Sequence, residues 1–358
     1  MDFTYPPEAE AFRAEFAAWL DATCTEEFRG DGLGFSMDMD EARLTTMRRW
    51  NGLLADARYA AISWPQEYGG RGAGIMEQVV FAEEMHRSGA PGTLNPLGLS
   101  NIAPAIIEFG TDDQKQHLLP RMLRGDDIWC QGFSEPNAGS DLASLQCKAV
   151  LDGDHFVING QKTWNTLGHL ANWCELLVRT DPEAPKHKGI SCLLVDMTLP
   201  GVEVRPLITI TGEKEFNEIF FTDVQVPATA LLGPRHDGWR VAMTTLAYER
   251  GTVANLHLGL RAKIRRLIDN AATVGALDDP VKRQALAKLY LEGELLKLVS
   301  ERAISGARYT AGRWVPKVPS RSSYGARPSN SSARRRARSS VPMPTPAPGD
   351  AIACTCGP

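Results

Sequence analysis

WCQGFSEPNAGSD (Trp129–Asp141) and NGQKTWNT (Asn159–Thr166) bracket the stretch whose reading decides the fold. In the first segment Pro136, Asn137, Gly139 and Ser140 bend the backbone sharply and free its N–H groups. Such turns form concave nests for anionic or carbonyl oxygens. In the second, Trp164 stands beside hydroxyl and amide side chains. A flat ring with donors close by suits a planar heterocycle with polar edges. On these residues alone the stretch is a binding site.

Outward from it, the hydrophobic period changes. Residues 1–125 read as helices. Pro6 and Pro7 open the first, where proline is favoured, and Phe12, Phe16 and Trp19 follow at helical spacing. The glycine-rich WPQEYGGRGAG (Trp64–Gly74) lacks both G-x-G-x-x-G and a Walker A lysine–hydroxyl pair, so it reads as a helix–helix connection. A helix over 76–88 closes at Gly89, and Thr111–Asp126 opens on a capping threonine with early acids.

Residues 126–234 switch to short strands. Cys147–Gly160 reads as a hairpin turning at Asp152–Gly153, and CELLVRT, GISCLLVDM, GVEVRPLITI and NEIFFTDVQVP follow. Their spacing points to a compact antiparallel barrel or sandwich. Helices return over 235–312. Met243, Leu246, Val253, Leu256, Leu260, Ile264 and Leu267 mark one helical face. Leu286, Leu289, Leu296, Val299 and Ala303 mark a second after a break at Asp278–Pro280, which predicts an αα-hairpin. The expected class is therefore α+β: an N-terminal helical domain (1–125), a middle antiparallel β-barrel or sandwich (126–234) and a truncated C-terminal helical bundle (235–312).

Residues 313–358 break this pattern. They are rich in Ser, Arg and Pro and hold one acid, Asp350. Such a segment buries too little apolar area to offset its ordering entropy, so a disordered tail is expected. The abrupt bias toward Arg, Ser, Pro and Ala also matches translation of a GC-rich gene in a wrong frame, which the nucleotide sequence tests.

Bulk properties narrow the function. With 358 residues, 43% of them hydrophobic, the chain can bury a sizeable core. A net charge of −4 argues against nucleic acid or an anionic membrane as partner. The acidic start shows no signal peptide, and no apolar run is long enough to span a bilayer. Seven scattered cysteines without a C-x-x-C pair read as reduced thiols of a cytoplasmic protein, with neither a zinc site nor a disulfide framework.

One acid stands out. Glu249, in LAYERG (Leu246–Gly251), shares a helical stripe with Leu246, Val253 and Leu256. Its neighbours three and four residues away are Thr245, Leu246, Thr252 and Val253, so no cation offers a local ion pair. Such a carboxylate is costly to ionise and its pKa is expected to rise. That pattern favours a functional acid over a solvated one.

These segments resemble the flavin-dependent acyl-CoA dehydrogenase family. Phe133–Pro136 with Ala138–Asp141 match its aromatic-Ser/Thr-Glu-Pro-x-Ala-Gly-Ser-Asp pattern, and Asn159, Gly160, Lys162, Trp164 and Thr166 match its Asn-Gly-x-Lys-x-Trp-x-Thr/Ser pattern. The resemblance runs from about Met1 to about Gly312. It implies FAD as cofactor, with Trp164 over the flavin ring, Thr166 near N5, Phe133 and Ser134 at the pyrimidine edge, and Ser140 near the pantetheine or the flavin phosphates. Glu249 and Arg250 match a Glu-Arg pair that one branch carries on this helix. Glu249 is then the implied α-proton base, and Ser140 and Arg250 are implied substrate contacts. The implied reaction is α,β-dehydrogenation of an acyl-CoA to the 2,3-enoyl-CoA, with hydride passing to FAD N5. An electron-transferring flavoprotein would accept the electrons, and a completed bundle would form a homo- or hetero-oligomer. Two other readings stay open: a non-catalytic or damaged subunit of a heteromeric dehydrogenase, and a flavin monooxygenase or oxidase on the same fold.

Overall fold

Five helices precede the first strand in the computed structural model, which describes residues 5–29, 39–252 and 256–308. They are α1 (Pro7–Thr23), α2 (Glu41–Asp56), α3 (Ile75–Ser88), α4 (Ala103–Phe109) and α5 (Asp112–Arg124). The predicted spacing in α1 puts Phe12 and Phe16 in the core, where Phe16 meets Tyr59 at 4.5 Å and Phe81 at 4.7 Å between ring centres. α5 opens on the predicted cap. Thr111 Oγ1 accepts from Gln114 N at 3.2 Å, and Gln114 Oε1 accepts from Thr111 N at 3.0 Å. The loop after Trp64 joins α2 to α3, as its sequence suggests.

Seven strands follow: β1 (Trp129–Gly132), β2 (Lys148–Asp152), β3 (His155–Lys162), β4 (Trp173–Arg179), β5 (Ile190–Asp196), β6 (Val202–Leu207) and β7 (Phe216–Pro227). They form one sheet in the order β1-β4-β2-β3-β7-β6, with β5 also on β4. Most neighbours are antiparallel as expected, but β1 and β4 pair in parallel, and so do β2 and β4 at Lys148 and Arg179. The reason is connection length. The long excursion through β2 and β3 lets the chain return in the same direction, which a tight turn does not allow. The predicted hairpin turn moves by one residue. Asp152 pairs with His155, leaving Gly153 and Asp154 at the tip, with Gly153 at φ +61°.

Alternation along β4 separates two cores. Cys174, Leu176 and Val178 join Phe156, Ile158 and Ile219 inside the sheet, while Leu177 packs with the helices. Helices then resume as α6 (Gly238–Thr252), α7 (Leu256–Thr273) and α8 (Pro280–Arg308). The stripe read as one face is divided between α6 and α7, and 253–255 lie outside the described residues. α7 and α8 form the predicted helical hairpin, joined by Arg261 Nε to Glu294 Oε1 at 2.8 Å. Leu267, Val281, Leu291, Leu295 and Val299 stay exposed, as a partial bundle should leave them. The disordered tail and frame change expected for 313–358 lie outside the described residues. Cys24, Cys130, Cys147, Cys174 and Cys192 are free and buried. Among the described residues no helix is long and apolar enough to cross a membrane.

Candidate active site

The turn after β1 is held from below by a buried ion pair. Lys162, the last residue of β3, is fully buried. Its Nζ donates to Glu135 Oε1 at 2.8 Å and to Phe133 O at 3.0 Å. Glu135 also accepts from the backbone N–H groups of Gln146 at 2.7 Å and Cys147 at 2.9 Å. Every strong demand of the two buried charges is thereby met inside the protein, the condition for burying them at all. Thr163 N donates to Ser134 O at 2.9 Å, and Glu135 and Ala138 exchange two backbone bonds. Phe133 and Ser134 are thus fixed by their own main chain. Glu135 and Lys162 were legible only as motif letters; their pairing is a tertiary fact.

The backbone reverses after β3. Trp164 takes φ +62°, and its indole is 63% exposed with an edge-on contact to Phe216 at 5.8 Å. A bulky residue in that region is strained, and strain of this kind collects at functional sites. Asn165 anchors the reversal. Its N–H donates to Asn217 O at 3.0 Å, and Asn217 Nδ2 donates to Asn165 O at 2.8 Å. Asn165 occupies a position the sequence motif leaves open, yet it is buried and bonded.

A cavity of about 440 Å³ lies between this reversal and α6. Gln131, Phe133, Ser134, Ser140, Trp164 and Thr166 line it from the sheet side, and Trp239, Met243, Leu246 and Glu249 from α6. Glu249 and all five residues proposed for the cofactor therefore meet in one space. Arg250 lies on α6, with its side chain outside what is described. The expectation of a poorly solvated Glu249 needs correction: the side chain is exposed. Its face of α6 looks across the open cleft rather than into the core.

The acid that is deeply buried is another one. Glu175 on β4 is inaccessible to solvent, and burial pushes its carboxyl up to about 8. A bond from Thr245 Oγ1 at 2.7 Å opposes that rise, and the charge of Glu249 adds to it. Sequence reading missed Glu175 because a lone acid in CELLVRT looks like a strand edge; being flanked by apolar residues was the available signal.

The residues present fit a flavin. Gln131 Nε2 is buried on the cavity wall without a hydrogen-bond partner, a free donor for a carbonyl edge. The exposed indole of Trp164 offers a flat apolar cover, and the hydroxyls of Ser134 and Thr166 stand beside it.

Helices, a curled sheet and further helices around one such cavity are the architecture of an acyl-CoA dehydrogenase. Residues 6–126 match the acyl-CoA dehydrogenase N-terminal domain, and 130–224 match the middle domain. The acyl-CoA dehydrogenase IpdE1 of Mycobacterium tuberculosis is 42% identical over 285 residues, 79% of this chain and 74% of that protein. A solved structure described as Tcur3481-Tcur3483 steroid ACAD superposes with a TM-score of 0.74 at 32% identity, covering 86% of this chain and 78% of that one. The ChsE4-ChsE5 complex from Mycobacterium tuberculosis gives 0.70 at 33% identity, with the same coverage of both chains. The chain belongs to the acyl-CoA dehydrogenase family, a family of oxidoreductases.

Proposed function

We propose that the chain dehydrogenates an acyl-CoA thioester to the 2,3-enoyl-CoA, with Glu249 as the α-proton base. The observation that carries this reading is the shared cavity: Glu249 faces it from α6 opposite Ser134, Trp164 and Thr166. A carboxylate there takes the α-proton and is left as the neutral acid. When bound, FAD supplies the acceptor for the hydride leaving the β-carbon. Phe133, Ser134, Trp164 and Thr166 would hold the flavin ring, Gln131 would donate to its polar edge, Ser140 would meet the flavin phosphates or the substrate pantetheine, and Arg250 would meet the substrate. The apolar wall of Leu97, Met243 and Leu246 suits a hydrocarbon acyl group.

Likeness to a structure described as a steroid ACAD supports a bulky, sterol-derived acyl group over a short straight one. Likeness to the ChsE4-ChsE5 complex, with the exposed apolar residues on α7 and α8, supports assembly with a second dehydrogenase chain. An electron-transferring flavoprotein is the proposed electron acceptor. The free buried cysteines fit a reducing cytoplasm.

Glu249→Gln tests the reading. The variant should keep its flavin absorbance and lose at least about a thousandfold in kcat, since it removes the base itself. Unchanged dye reduction with acyl-CoA would remove Glu249 from the mechanism.

A further inference from the structure

Glu175 is a buried acid to which the proposed reaction gives no role. Alternation on β4 places it with Trp173 and Leu177 on the face toward the helices, opposite Cys174 and Leu176. It is paired in register with Gln131 of β1, a residue that lines the cavity. On the other side it accepts the Thr245 hydroxyl of α6 at 2.7 Å. Thr245 precedes Glu249 by one helical turn, so the two project from the same side of α6. Glu175 therefore sits directly under the turn that carries the base.

Its surroundings favour the neutral acid. Burial raises its carboxyl to about 8, the Thr245 bond pulls it down, and the charge of Glu249 pushes it up. Among the described residues, the other titratable groups against it are thiols. Cys192 of β5 lies 4.0 Å from Oε1, and the adjoining Cys174 is hydrogen-bonded to Cys130 of β1; burial raises Cys192 and Cys174 well above the usual thiol range. Among the described residues no cation acts on Glu175, and its Oε2 has no hydrogen-bond partner. A carboxylate so placed would be an uncompensated buried charge, whereas a carboxylic acid is tolerated.

Resting on the proposed role of Glu249, we infer that Glu175 is a positioning residue: as a neutral acid it ties β4 to the turn of α6 bearing the base and couples its own proton to the charge on that base. While it stays neutral, Glu249 carries its charge with no second anion beneath it. Once it ionises, a second negative charge lies beneath the helix turn of Glu249, repels that carboxylate and makes it the stronger base. The rate of α-proton transfer, read in kcat, should therefore rise on the alkaline side as Glu175 loses its proton.

Infrared difference spectra of the full chain against pH give the test. The wild type should show a protonated-carboxyl band that disappears with a midpoint near 8, and Glu175→Gln should lack it. Glu249→Gln should lower that midpoint, since it deletes the charge that pushes the Glu175 carboxyl up. Thr245→Val should raise it, since the hydroxyl favours the ionised form, and this arm stands even if Glu175→Gln does not fold. In turnover, the alkaline rise of kcat should be present in the wild type and absent in Glu175→Gln. A missing band, a midpoint unmoved by Glu249→Gln, or superimposable kcat profiles would each overturn the inference. The spectra need no turnover, so inactive protein with a coupled band would sink the dehydrogenation reading and leave the coupling standing.

Discussion

Replacing Lys162 with Met probes the support beneath the cofactor loop. Methionine fills nearly the same volume, so the change is chiefly the loss of charge and donors. Glu135 would keep its bonds to Gln146 N and Cys147 N but lose the cation 2.8 Å away, and Phe133 O would lose its donor at 3.0 Å. Breaking one side of a buried pair costs about 3–5 kcal/mol, because the remaining charge stays buried. We expect Lys162→Met to lower stability by that amount in urea unfolding with an unchanged slope. The double variant Glu135→Gln/Lys162→Met should be less damaged than the sum of its parts by at least about 1 kcal/mol, since it leaves no orphan charge. Because the pair fixes Phe133 and Ser134, the single variant should also purify with less flavin, read as flavin absorbance per protein. A loss below about 1 kcal/mol in Lys162→Met, or strict additivity in the double variant, would refute the argument that the pair is desolvated and mutually required.

Two further outcomes follow from the same geometry. Gly160 has φ +152°, and a Cβ there would lie 2.6 Å from the Cα of Cys147, so Gly160→Ala should destabilise by on the order of 3 kcal/mol; a urea midpoint equal to the wild type's would contradict this. Glu175 makes stability depend on pH: below the unfolded value of 4.5 both states hold the proton, while between there and about 8 only the folded state does. Stability should thus fall as pH rises through that window, by about 1.4 kcal/mol per unit, and level off above it. Glu175→Gln should flatten the slope measured by urea unfolding at several pH values, and an unaltered slope would assign it to other groups.

Sequence by itself determined the elements and the motif. Apolar spacing in Phe12 and Phe16 sufficed for α1, Thr111 and Gln114 for the start of α5, and the two long segments around Phe133 and Trp164 for the family, because each signal is local. It also singled out Glu249, whose neighbours along one helix are set by spacing alone. Only tertiary structure decided what those residues meet. The parallel return of β4 beside β1, the burial of Lys162 against Glu135, the anchoring of Asn165 by Asn217 and the place of Glu175 beneath Thr245 all join positions far apart in the chain. Solvation went the same way. A stripe on a helix wheel records which residues share a face, but whether that face meets a core or an open cleft depends on what packs opposite. Glu249 therefore lies exposed at the cavity while an acid in an unremarkable strand carries the burial.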